Sequence, residues 1–502
     1  MTATQPTALR ASVRTATGSG HRRCAAWLAG ALLLGALIAG TPSRAQSTSA
    51  LPDLGDTSAG VLSTLEEKRL GQQFMRAARL QLRFIDDPEL TAYLDALGKR
   101  LVAQSDAPER DYRFYLVEDP NLNAFAAPGG HIAVHSGLVL AASSESELAG
   151  VLAHEVAHVT QRHLPRMIEQ SKRQSLPATA AMVAAILLGG QVGQAAIAAT
   201  NAALIESQLR YSRDFEREAD AIGIRTLNAA GYDPEGMVTF FKRMEQWSRI
   251  QDSSGVPEFL RTHPLTPDRV AEAESRAARY ARGERAAGTD FQHMRNKIYA
   301  TLGARPDDIV RYFEEQLRGG NAPDAGAARY GYALALLRGA HFERAREEIA
   351  RLVAASPDYV PYRIAQAQAE IAAGNFDAAL KIFDATLRAH PDHNALAQYY
   401  ADALVKSGRA ADAKPLLRER IRANPGNPRL YAMFARAAGE SGALFESYQA
   451  LAEHYYLNGD LERALDQLYT ARRHTGDSFY AMASVDARIQ EIQEELRRLQ
   501  NE

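Results

Sequence analysis

A 34-residue spacing in the C-terminal part of this 502-residue chain restricts its fold more than any other feature. Pro357, Pro391 and Pro425 keep that interval, as do Gly374, Gly408 and Gly442, and Ala345, Ala379 and Ala413. Proline ends one helix, glycine turns the chain between two helices, and alanine lets the pair close tightly. Each period is then one helix pair, which buries its apolar face by stacking on its neighbours. A generic alanine-rich bundle would not hold three residue types in one register. Gly459, 17 residues beyond Gly442, suits a helix shared between pairs at the end of the array, and the charged stretch from Glu491 to Glu502 suits a polar cap.

The other end of the chain reads as an export signal. Arg10, Arg14, Arg22 and Arg23 precede an apolar run from Ala25 to Gly40, and Ser43-Arg44-Ala45 offers small residues two apart before Gln46. This is the pattern of a secretory leader cleaved after Ala45, and the run is shorter than the ~20 residues needed to span a bilayer. The only cysteine, Cys24, leaves with it, so the mature chain has neither a disulfide framework nor a thiolate zinc site. A formal net charge of -2 argues against nucleic acid as the main partner.

Between these ends, apolar residues three and four apart from Leu65 to Val102 predict amphipathic helices. Tyr112 to Val117 reads as a strand, and Asn123 to Val139, broken at Pro128-Gly129-Gly130, as strand and hairpin. His131 and His135 then share one side of a strand, read as an edge with solvent-facing histidines in preference to a second metal site. Glu145 to His163 is helical, with Ser143 or Ser144 as N-cap. Leu176 to Ile205 is apolar but divided by Gly189, Gly190 and Gly193. It reads as a helical hairpin packed on the core or covering a site, or else as a surface that docks reversibly on membrane or client protein. A further helix runs from Glu206 to Gly231.

The chemistry sits at His154-Glu155-Val156-Ala157-His158. Residues four apart on a helix lie about 40° from each other, so His154 and His158 aim two imidazoles at one ion. Glu155 is rotated about 100° from His154, which suits a general base acting on a water. A zinc hydrolase wants three protein ligands and one open position. Glu216-Arg217-Glu218-Ala219-Asp220 repeats the four-residue spacing, so Glu216 is assigned to the metal. Asp220 is assigned to the distal ring N–H of a ligating histidine, and Glu218 points elsewhere. His163, five residues from His158, lies about 140° around the helix and is left out.

The helix from Glu147 to His163, the Glu216-to-Asp220 segment and the strand region Asn123 to Leu138 together resemble the M48 family of zinc metallopeptidases. With its leader and its repeats, the chain is similar to periplasmic members of that family. The resemblance implies a mainly α protein with three parts: a leader over 1–45, a gluzincin-like α+β metallopeptidase domain with a small sheet over 46–304, and an α-solenoid of tetratricopeptide repeats over 305–502. It implies one Zn2+ per chain on His154, His158 and Glu216, with Glu155 as base and Asp220 orienting a ligand. It also draws attention to His263 in Thr262-His263-Pro264-Leu265-Thr266-Pro267-Asp268-Arg269, as a fourth ligand that self-inhibits the enzyme or as an oxyanion stabiliser. Arg269 is a weaker candidate for the oxyanion role. The strand that carries His131 and His135 is expected to line the cleft, where an extended substrate adds.

The implied function is periplasmic endopeptidase and chaperone-like activity in outer-membrane β-barrel assembly and quality control. The implied partners are unfolded or stalled outer-membrane proteins, the barrel-assembly machinery and a lipopolysaccharide-export barrel. Two other readings compete. One is a mainly non-proteolytic chaperone or adaptor that works through its repeats while the metal site is self-inhibited. The other is a purely structural zinc site, which the missing cysteines disfavour.

Overall fold

The computed structural model describes residues 62–173, 202–250, 258–280, 290–303, 305–320 and 322–500. The expected leader and most of the 176–205 segment lie outside the described residues. No described helix is long and apolar enough to cross a membrane.

Helix α1 (Thr64–Gln81) starts from a reciprocal cap between Ser63 and Glu66. Helix α2 (Pro88–Val102) starts from Asp87, which accepts the Glu89 and Leu90 N–H groups, and buries Leu90, Leu94, Leu97 and Leu101 along one face. Three strands follow, β1 (Arg113–Val117), β2 (Ala124–Ala127) and β3 (His131–His135), in the order β1-β3-β2. Strand β3 runs parallel to β1 and antiparallel to β2, and Gly129 and Gly130, at φ 75° and 80°, turn the chain between β2 and β3.

This order corrects the expectation for the histidine pair. β3 is the central strand, so His131 and His135 are buried, and the Tyr115 hydroxyl lies 2.9 Å from His131 Nδ1. Burial, helped by the Arg113 charge, pulls His131 down to about 3. The stretch after His135 is likewise helical, α3 (Ser136–Ala141), and does not continue the hairpin.

Helix α4 (Glu145–Thr160) is capped by the Ser144 hydroxyl, which accepts the Glu147 N–H. Glu147 in turn accepts from the Ser143 N–H, the Ser143 hydroxyl and Arg243 Nη2. Burial alone would push its carboxyl up, but these donors hold it below its ordinary value of 4.5. A carboxyl held low in the folded state adds stability that is present above its ordinary range and is lost as pH falls through the folded value. Glu147→Gln should therefore lower stability near neutral pH, and the gap between variant and wild type in urea unfolding should close on acidification. A gap that stays constant with pH would refute this assignment.

The helix from Glu145 does not reach His163. It stops at Thr160, Arg162 takes a left-handed φ of 53°, and α5 (His163–Arg173) begins. Helices α6 (Ala202–Ala229) and α7 (Glu235–Ile250) pack on α4. A Cβ on Gly223 of α6 would stand 3.1 Å from the His154 nitrogen, so glycine there lets α6 close on α4 at the level of that histidine. Helices α8 (Glu258–Thr262), α9 (Pro267–Ala277) and α10 (Asp290–Leu302) complete a core built around Leu90, Ile132, Leu148, Leu152, Ile224 and Phe240.

From α11 (Pro306–Gly319) to α21 (Phe479–Gln500) the chain is a run of antiparallel helix pairs. Gly374, Gly408 and Gly442 adopt φ of 82°, 78° and 81° with open space where a Cβ would lie, so conformation and not room demands glycine there. The register extends one repeat earlier than the glycines reveal, because Ala340 takes the same left-handed turn at φ 60°. Gly459 and Gly476, at φ 78° and 55°, close further helices half a period apart.

Helix α10 belongs to two cores. Phe291, Met294 and Ile298 face the α2–α4 core, while Ala300 joins Ile309, Phe313 and Tyr330 of the first repeats. Lys297, 3 % exposed, sits between them. Its ammonium donates to Asp87 at 2.9 Å, to Glu89, and to the Tyr399 hydroxyl at 3.0 Å on a later repeat helix, and that hydroxyl donates back to Asp87.

Candidate metal centre

Four side chains from three segments meet at one point. Their ligating atoms, on His154, His158, Glu216 and His263, all lie within 4.8 Å of one another and could hold a metal ion. The two histidines of α4 bring their Nε2 atoms to 3.0 Å. Glu216 of α6 stands 3.4 Å from His154 Nε2 and 3.5 Å from His158 Nε2. His263 Nδ1 lies 3.3 Å from His154 Nε2 and 3.1 Å from Glu216. A tetrahedral cation with bonds of about 2.0–2.1 Å holds its donors about 3.3 Å apart, close to the separations of these five pairs.

The donor chemistry makes the same point. His154 Nδ1 donates to Asp220 at 3.0 Å, which leaves a lone pair on Nε2 facing the other ligating atoms. Converging lone pairs and a carboxylate repel unless a cation lies among them. Burial opposes a charge on His154, but Asp220 and Glu216 hold its imidazole up to about 10. Burial and the neighbouring His154 keep His158 well below the ordinary histidine range.

Glu155 is the exception in this well-bonded cluster. Its residue is fully buried, and neither carboxylate oxygen has a hydrogen bond of normal geometry. Its polar neighbours include His263 Nε2 at 3.5 Å and the Ala126 backbone on β2. Burial pushes its carboxyl above the ordinary range, a setting that suits proton exchange.

The segment after α8 carries His263. The Phe259 N–H donates to Leu122 O at 2.9 Å, the His263 N–H to Phe259 O at 2.7 Å, and the Phe259 and His263 rings stack at 4.8 Å. Arg269, 2 % exposed, is spent behind the ligands. Its Nε and Nη2 donate to Asp220 at 2.7 and 2.8 Å, and its Nη1 to the Pro264 carbonyl at 2.8 Å and Glu216 at 3.0 Å. It therefore balances two buried carboxylates and does not face the site as an oxyanion donor.

Two residues set aside in the sequence come into play. With the helix broken at Arg162, His163 Nδ1 lies 2.8 Å from His158 Nδ1, and its Nε2 lies 3.2 Å from Glu218. Helical angles alone misplace His163; Pro165 signals that the helix cannot run on unbroken, but the positive φ at Arg162 that sets the swing has no marker of its own. Glu218, expected to point away, is held by Arg166 at 2.9 Å and serves this histidine.

The M48 peptidase family model matches residues 88–277, and a tetratricopeptide repeat model matches 370–437. Over 312 residues the chain is 39 % identical to the putative beta-barrel assembly-enhancing protease of Vibrio cholerae, covering 61 % of this chain and 64 % of that one. It is 33 % identical over 332 residues to the beta-barrel assembly-enhancing protease of Escherichia coli K12, covering 65 % and 68 %. The mitochondrial metalloendopeptidase OMA1 of Schizosaccharomyces pombe is 32 % identical over 184 residues, covering 37 % and 52 %.

Proposed function

The chain belongs to peptidase family M48, and we propose that it is a zinc endopeptidase of the periplasm whose resting site is held closed by His263. The observation that carries this reading is Glu155, a buried carboxylate without a normal hydrogen bond beside a set of donors spaced for one tetrahedral ion. His154, His158 and Glu216 would hold the metal. When bound, zinc supplies Lewis-acid polarisation of a carbonyl and lowers the pKa of water.

The chain's own groups do the rest. Glu155 takes the proton of the attacking water and returns it to the departing amine. Asp220 fixes the tautomer of His154, and Arg269 keeps Asp220 and Glu216 in place. An extended substrate pairs along β2, the edge strand whose Ala126 adjoins Glu155. One zinc per purified chain, removable by chelator together with activity, is the test; activity that survives metal removal would refute the reading.

His263 supports the closed resting state because it adds a fourth protein donor where a water must enter. His263→Ala should raise basal cleavage of an unfolded substrate several-fold. Unchanged or lower activity would favour the second reading, a chaperone or adaptor acting through the repeats.

By the names of its relatives, the chain acts in β-barrel assembly. We extend this to stalled outer-membrane precursors as substrates, and to the barrel-assembly machinery and a lipopolysaccharide-export barrel as partners. Residues 1–45 would serve as the export signal, 46–304 as the peptidase domain and 305–502 as the repeat domain. Segment 176–205 would give peripheral membrane contact.

A further inference from the structure

We propose that His163 is a positioning residue for His158: it accepts the Nδ1–H of His158 on its own Nδ1 and donates its Nε2–H to Glu218. This deepens the endopeptidase reading and rests on it.

The hydrogen positions along this chain of contacts are set from its outer end, at Glu218. A carboxylate only accepts, so the 3.2 Å contact from His163 Nε2 to Glu218 fixes the hydrogen of His163 on Nε2. A neutral imidazole carries one N–H, so His163 Nδ1 is a lone pair. At 2.8 Å from that lone pair, His158 Nδ1 must be the donor. The remaining nitrogen of His158 then presents its lone pair to Nε2 of His154 and to Glu216, where the ion would sit.

The surroundings hold His163 in that pose. Its ring is buried at 4 % exposure and stacks on Phe215 at 4.3 Å with an interplanar angle of 18°. The guanidinium of Arg166 lies 4.6 Å over the Phe215 ring while donating to Glu218. The turn at Arg162 brings the residue there, since an unbroken helix would carry it away from His158.

The two ligating histidines are thereby supported unequally. His154 donates to a carboxylate that an arginine clamps, whereas His158 donates to a neutral ring and reaches its carboxylate only through it. Outer partners of metal-bound histidines typically govern affinity by 10- to 100-fold.

The test compares zinc dissociation constants of the full chain, by competition with a chromophoric chelator, with helicity checked by circular dichroism. His163→Phe keeps an aromatic ring against Phe215 but removes the acceptor, and should weaken zinc binding by about 10- to 100-fold. His163→Asn restores an acceptor near the Nδ1 position and should recover most of that loss, a rescue that a purely space-filling role would not produce. Wild-type affinity in His163→Phe, or no advantage of Asn over Phe, would overturn the proposal. If His163→Phe fails to fold, Glu218→Ala decides: weaker zinc binding supports the relay and unchanged binding refutes it. A wild-type chain that takes up no zinc would overturn the endopeptidase reading, and this inference with it.

Discussion

Glu155→Gln should cut peptide-bond cleavage by about 10²- to 10⁴-fold, the usual share of a general acid–base. The amide keeps the size of the carboxylate but can neither take a proton from water nor return one to an amine. Glu155 is fully buried, and its oxygens have no hydrogen bonds of normal geometry to lose. A neutral side chain at that place removes a desolvation cost, so the variant should be at least as stable as wild type and retain its metal. The clearest measurement uses a His263→Ala background, in which the activity to be lost is largest. Cleavage by the double variant at the rate of His263→Ala alone, in a preparation free of other proteases, would remove Glu155 from the mechanism.

The second large effect is on stability. Lys297→Met should cost about 3–5 kcal/mol, because it leaves Asp87 and Glu89 without their shared cation in a buried setting. Glu89 is 5 % exposed, and its Oε1 already has no hydrogen-bond partner. The same ammonium reaches Tyr399, so its loss also removes one polar tie between the peptidase core and the repeats, the bond from the Tyr399 hydroxyl to Asp87 remaining. Urea unfolding of the full chain should show a lower midpoint. Adding Glu89→Leu to Lys297→Met should recover part of the loss, since a well-packed apolar pair can replace a buried ion pair. A single variant as stable as wild type would show that the carboxylates find other compensation.

The legible features were those set by local periodicity. Paired histidines and paired acids four apart, and proline, glycine and alanine each kept at 34 residues, are one-dimensional records of helix geometry. What escaped depends on partners distant in the chain or on a backbone exception. The parallel pairing of β1 with β3, which makes β3 central and buries His131 and His135, has no local marker. The left-handed turns at Arg162 and Ala340 use residues that rarely adopt them, so the swing that brings His163 to His158 and the first repeat turn both went unseen. Arg269 was legible only as a charge. Its place behind Asp220 and Glu216 follows from the need of two buried carboxylates for a cation, a requirement that appears once their burial is known.

Helix α10 lends one face to each of two cores. The protein is therefore a poor source of interchangeable modules. A chimera that grafts foreign repeats after residue 304 inherits a helix shaped for Ile309, Phe313 and Tyr330 and would leave that face wet. Drift in the first helix pair is tied to drift in the peptidase half, and the same holds farther along the array, where Tyr399 meets Asp87 and Lys297 and Gly459 closes on Arg76.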